Sequence, residues 1–176
     1  MDNPEHYFND QWEEMRNKFT GDIMLWIMAD VTLHSFPEMY KEMLRLMSRD
    51  DVGIYAPNVC WTGHVYDISK LIEIEPQVCE VAMTDMLCYA VRADVLSKLP
   101  RITTRTHGWG IEIFLTALAT KMGRKTVRDY RFTVDHPNST GYCIPEAASG
   151  MEELIAHSGI EKEMRSVMEL RDKQHV

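Results

Sequence analysis

The sequence has no long apolar run, no paired cysteines and no surplus of positive charge. Its longest apolar stretch, "IMLWIMA" at 23–29, falls far short of the ~20 residues that a membrane-spanning helix needs. The first ten residues, "MDNPEHYFND", are polar and acidic and lack the apolar core of a secretory signal. Lys and Arg number 19 against 27 Asp and Glu, a formal net charge of −8. That balance argues against a broad nucleic-acid footprint, and a small anionic ligand would need a cation to offset repulsion. Cys60, Cys79, Cys88 and Cys143 form no C-x-x-C pair, so free thiols in a reducing cytoplasm are expected. The signatures H-E-x-x-H and H-x-x-E-H are missing, which weakens a metal-hydrolase reading. Internal repeats, low-complexity tracts and linkers are missing too.

What is present suits one globular domain. The chain of 176 residues is 45% hydrophobic and 26% charged, enough for a single core across 1–176. Its 13 methionines sit mostly in helix-patterned segments, where Met fills core gaps. Asn3 and Pro4 read as a helix start, with Phe8, Trp12, Met15 and Phe19 at helical spacing and Gly21 after them. "DIMLWIMADV" reads as a strand covered on both faces. Ser35 and Glu38 have capping-box spacing before an apolar stripe of Tyr40, Met43, Leu44 and Met47. "VGIYAP" and "LIEIE" follow as strands, and "VCEVAMTDMLCYAVR" as one bent strand or two. A short helix "ADVLSKLP", a loop, the helix "IEIFLTALATKMG" and the strand "KTVRDYRFTVDHP" come next. Ser149 and Glu152, again at capping-box spacing, precede a final helical region within 147–175. Helices and strands in this order predict an α/β fold, a single-domain mixed, partly parallel sheet flanked by helices.

Three polar residues lie at the ends of structural segments. Asp30 ends the strand "IMLWIMAD", Glu112 opens the helix after "HGWG", and His136 ends "RFTVDH". Acids at the carboxyl ends of strands in an open α/β sheet face the ligand crevice. An Asp oxygen with a His nitrogen suits Mn²⁺ or Mg²⁺, with water and phosphate completing the shell. A carboxylate in the first turn of a helix is favoured by the dipole, and it must be tuned to act as a base near neutral pH. Each residue also has a plain reading: Asp30 as a turn cap, Glu112 as a first-turn acid, His136 as a turn residue. Trp109 reads equally as a core or lid residue, Asp85 as a solvated or hydrogen-bonded acid, and "NSTGYC" as a surface loop.

The order "GDIMLWIMADV", "GWGIE", "VDHP" resembles the metal-binding and acceptor half of a GT-A fold glycosyltransferase of the family-2 type, over roughly residues 20–142. The resemblance implies a D-x-D-like motif at "MAD", with Asp30 facing a divalent cation on the nucleotide-sugar diphosphate and Met28 where the first acid usually stands. It implies that Glu112 in "GWGIE" deprotonates the acceptor hydroxyl and that His136 completes the metal site. Gly108 and Gly110 would let backbone approach a sugar, and Trp109 would stack on it. Asp85 would face the acceptor, and Tyr142 would help cover the phosphates. The implied reaction is inverting transfer from a nucleotide-sugar donor to a hydroxyl acceptor. The strands that bind the nucleobase in that family have no counterpart before Asp30. A fragment, a partner chain supplying those strands, a homo-oligomer, or a non-catalytic carbohydrate-binding or interaction module are the alternatives this leaves.

Overall fold

The structure, a computed structural model, describes residues 8–60, 70–137 and 143–172. Helix α1 (Phe8–Lys18) leads into β1 (Ile23–Ile27), then β2 (Thr32–Leu33), α2 (Phe36–Met47) and β3 (Val52–Cys60). Next come β4 (Lys70–Glu75), β5 (Val78–Val81), β6 (Cys88–Arg92), α3 (Ala93–Leu96) and α4 (Ile111–Lys121). β7 (Lys125–Asp135), α5 (Ile144–His157) and α6 (Glu161–Asp172) complete the described chain. The 7 strands form one sheet in the order β1-β6-β3-β7-β5-β4, with β2 joined to β7. β3 and β7 run parallel, and every other ladder is antiparallel. The expected mixed, partly parallel sheet flanked by helices is the architecture found.

Alternation along the strands splits the core in two. Ile54, Tyr89 and Val91 face α4, α5 and α6. Tyr55, Ala90 and Val127 face α2. Helix α4 is buried almost throughout, from Ile111 to Ala119, as its nearly unbroken apolar sequence demands. Helix α2 is amphipathic and buries Met39, Met43, Leu46 and Met47; each such side chain contributes roughly 1.5–3 kcal/mol relative to exposure. Helix α1 is fixed by Trp12, which is fully buried. Buried Glu13 accepts hydrogen bonds from Ile102 N–H (3.0 Å) and Arg16 (2.8 Å).

Several local expectations are corrected. "VCEVAMTDMLCYAVR", open as one bent strand or two, is two, because β5 ends at Val81 and the chain recrosses the sheet before β6. Ser35 does stand at the N-cap of α2, but its side chain makes no cap hydrogen bond. Ser149 caps nothing: it lies inside α5, whose first turn carries Pro145 instead, a residue suited to the start of a helix. β1 is covered on both faces, as expected, and among the described residues it ends the sheet. Asn3 and Pro4 lie outside the described residues.

Candidate functional site

Asp30 and His136 come together. β1 ends at Ile27, and the chain turns through Ala29 and Asp30 before β2 pairs with β7 at Thr32↔Asp135. That pairing lays the Asp30 turn beside the residue that follows β7. His136 Nε2 lies 2.9 Å from Asp30 Oδ2. The imidazole is buried, whereas the carboxylate is 38% exposed and open to a ligand. A second pair stands on the same ladder, His34 Nε2 at 2.5 Å from Asp135 Oδ2, but both of its side chains are exposed. No set of three or more His, Cys, Asp or Glu side chains is gathered for a metal among the described residues.

Glu112 sits in the first turn of α4 and accepts a hydrogen bond from Gly110 N–H at 3.2 Å. Burial pushes its carboxyl up to about 7. The hydrogen bonds from its own and the Gly110 amide pull it down, Asp85 pushes it up, and Arg171 pulls it down. The residue keeps part of its surface exposed, but the surroundings of the carboxylate itself set its proton affinity, and those are enclosed. A carboxyl held near neutrality by its enclosure is a competent general base.

Asp85 connects the two groups. It lies in the segment that crosses from β5 to β6, where Arg128 Nη2 donates to it at 2.7 Å and Leu87 N–H at 3.4 Å. Leu87 O in turn accepts Met28 N–H at 2.9 Å. A backbone bond thus ties the Asp30 turn to the β5–β6 crossing, and Asp85 of that crossing acts electrostatically on Glu112. Two surface recesses, one beside β4 and Tyr130 and one between β2, α2 and Phe132, are lined by other residues.

The turn before α4 explains its glycines. Gly108 and Gly110 have φ of +96° and +93°, a left-handed backbone that side chains with a Cβ resist. A Cβ on Gly108 would meet the Phe8 ring at 3.2 Å, and one on Gly110 would meet Met151 Cγ at 3.0 Å. On that side both glycines make room for this chain's own helices α1 and α5. Trp109, between them, is half-buried. Tyr142 lies outside the described residues.

Sequence reading missed three participants. Arg128 is almost fully buried on β7 and also donates to Thr84 Oγ1 at 3.1 Å. Tyr89, fully buried on β6, lies in the field of Glu112, and its hydroxyl has no hydrogen-bond partner among the described residues. Burial raises the Tyr89 phenol well above its usual range, so it stays protonated. Arg171 arrives from the far end of α6. The signal for Arg128 was the adjacent pair Arg128-Asp129 in the middle of a strand pattern. The two charges point to opposite faces, and both are buried.

No family model and no curated protein matches the chain. A solved structure described as that of a mycobacterial protein matches 87% of this chain at a TM-score of 0.55 and 17% identity. The chain spans about half of that structure's length, 52%. Likeness at this identity shows a shared fold.

Proposed function

We propose that this domain is the metal-binding and acceptor-binding part of a glycosyltransferase that moves a sugar from a nucleoside diphosphate to a hydroxyl acceptor, with inversion. The observation that carries the reading is the Asp30–His136 contact, and burial holds the Glu112 carboxyl near neutrality, as a base would need. The motif resemblance of "MAD", "GWGIE" and "VDHP" supports it.

The donor set suits the cation. One carboxylate oxygen and one imidazole nitrogen favour Mn²⁺ over Mg²⁺, which prefers oxygen alone. Two protein donors leave the remaining positions to diphosphate oxygens and water. Once bound, the cation would supply Lewis-acid stabilisation of the departing diphosphate. Glu112 would take the acceptor proton. Asp85 and Arg171 would set how readily it does so, and Trp109 would offer its ring to the sugar. Free cysteines, buried at 79 and 88 and exposed at 143, are in keeping with a reducing cytoplasm, where we place the activity. No helix among the described residues is long and apolar enough to cross a membrane.

A second reading is supported by one position. Met28 stands where the first acid of the motif belongs, and that favours a non-catalytic module that keeps the fold and binds carbohydrate or protein. Incubation with a panel of nucleotide sugars, Mn²⁺ and simple hydroxyl acceptors separates the two. Transfer or slow donor hydrolysis that disappears in Glu112→Gln is the expected result; no turnover of any donor would leave the non-catalytic reading.

A further inference from the structure

We propose that the buried space above Ala56, between Tyr89 and Arg128, is an internal water site, and that its water makes Tyr89 a positioning residue for Glu112. The register of the sheet builds the site. Ile54 packs with the α4-side core, and Ala56, two residues on along β3, faces the same way. On one side Ala56 is paired with Arg128 of β7. On the other, β3 runs antiparallel to β6 with Tyr55 paired to Ala90, so the next step along sets Tyr89 beside Ala56. Tyr89 belongs to the same α4-side core. Three neighbouring strands thus present tyrosine, alanine and arginine in one row, with the outer two Cα atoms roughly 10 Å apart. All three residues are buried, each at 1% exposure or less. The middle one offers only a methyl group, which leaves room above it between two long side chains.

Two polar atoms of that row have no partner among the described residues, the Tyr89 hydroxyl and Arg128 Nε. Arg128 Nη2 is occupied, donating to Thr84 Oγ1 at 3.1 Å and to Asp85 Oδ2 at 2.7 Å. Buried polar atoms are nearly always bonded to protein or to ordered water. The chemistry selects the ligand. Asp85 already neutralises Arg128, so the row holds no net charge for an ion. Arg128 Nε–H only donates, whereas a tyrosine hydroxyl donates and accepts. The ligand must therefore accept from Nε–H and be small enough to lie over a single methyl. Water meets both demands, and it can also donate to the tyrosine oxygen, reaching the two to four bonds typical of a buried water.

With its oxygen accepting from the water, the hydroxyl keeps its own hydrogen for Glu112. Glu112 acts on Tyr89 electrostatically, and burial keeps the phenol protonated. The other groups acting on Glu112 are the Gly110 amide, Asp85 from the β5–β6 crossing and Arg171 from α6. Helices α1 and α5 face this turn with Phe8, Met151 and Leu154, which are apolar. Held by water, the Tyr89 O–H has a fixed direction and stabilises the ionised carboxylate as a donor. The positioning role rests on the reading of Glu112 as the base; the water site does not.

A high-resolution crystal structure of the full chain tests the site. The expected result is a water within hydrogen-bond distance of both Tyr89 Oη and Arg128 Nε; a structure with no such water overturns the proposal. Tyr89→Phe tests it by sign. A hydroxyl bonded to water supports the fold, so the denaturant midpoint should fall, whereas removing a buried hydroxyl that lacks a partner would raise it. A raised midpoint overturns the site. The positioning role is read from the titration of Glu112, followed as the pH-dependent part of stability that Glu112→Gln abolishes. Loss of a donor should move that titration up by about one pH unit in Tyr89→Phe; a hydroxyl with a purely structural role would leave it in place. Should Tyr89→Phe fail to fold, Ala56→Val, which fills the space over the methyl, should give the same shift. None of these readouts needs turnover. If Glu112→Gln retained sugar transfer, the base assignment would fall, while the water and the titration shift would still be decided by their own measurements.

Discussion

His136 Nε2 rests 2.9 Å from Asp30 Oδ2 although 106 residues separate them. The two-residue β2 holds them there by pairing Thr32 with Asp135. In the absence of a ligand the contact satisfies a buried ring nitrogen with a half-exposed carboxylate. A cation would replace that hydrogen bond with two coordination bonds from the same atoms. Asp30→Ala should abolish metal-dependent nucleotide binding and, by taking the partner from a buried ring nitrogen, cost about 1–3 kcal/mol. Thermal melting with and without Mn²⁺ checks both halves: the metal-induced rise should vanish and the metal-free midpoint should fall modestly.

Glu112 makes stability depend on pH in a defined direction. Its folded carboxyl titrates near 7 against 4.5 in the unfolded chain, so between those values the native state holds more protons. Stability therefore falls as pH rises from about 4.5 to 7, by at most roughly 3 kcal/mol. Glu112→Gln should gain stability relative to wild type at pH 8 and show no such gain at pH 4. Denaturant titrations at the two pH values measure it. A difference that does not change with pH would remove the enclosed carboxylate from the account.

Arg171 lowers the proton affinity of Glu112. Arg171→Gln should therefore move the acid limb of the rate profile to higher pH. Asp85 acts in the opposite sense, so Asp85→Asn should move that limb to lower pH. A profile fixed in both variants would show that neither charge reaches the base.

The Arg128–Asp85 pair is enclosed on the Arg side, with 1% of its side chain exposed. Asp85→Ala leaves a buried guanidinium unpaired and should cost about 3–5 kcal/mol. Replacing Arg128 by Met in the same chain should restore much of that loss, since an uncharged side chain of similar length needs no partner. Equilibrium unfolding of both variants provides the comparison.

The sequence made the elements legible where periodicity was strong. The apolar run that became α4, the alternation in β7 and the amphipathic α2 were each readable, and the ends at Asp30, Glu112 and His136 stood out because polar groups closed apolar segments. Pairing was not readable. "IMLWI" has the composition of a central strand, yet it lies at an edge, because nothing local specifies which strand sits beside it. The recrossing between β5 and β6 was hidden by a continuous apolar sequence. Capping-box spacing at Ser149 misled because spacing alone does not place a helix start; Pro145 set it four residues earlier. Arg171 was invisible for a different reason: only tertiary packing of α6 against α4 carries a residue from the end of the chain to the field of Glu112.

The central claim is that Asp30 and His136 together grip a cation on a nucleoside diphosphate. Calorimetric titration of the full chain with UDP, GDP and dTDP, each with and without Mn²⁺, tests it most directly. The account predicts that at least one nucleotide binds only when the metal is present, and that His136→Ala and Asp30→Ala each abolish that binding in a folded chain. Equal binding without metal, or metal-dependent binding untouched by either substitution, would contradict it.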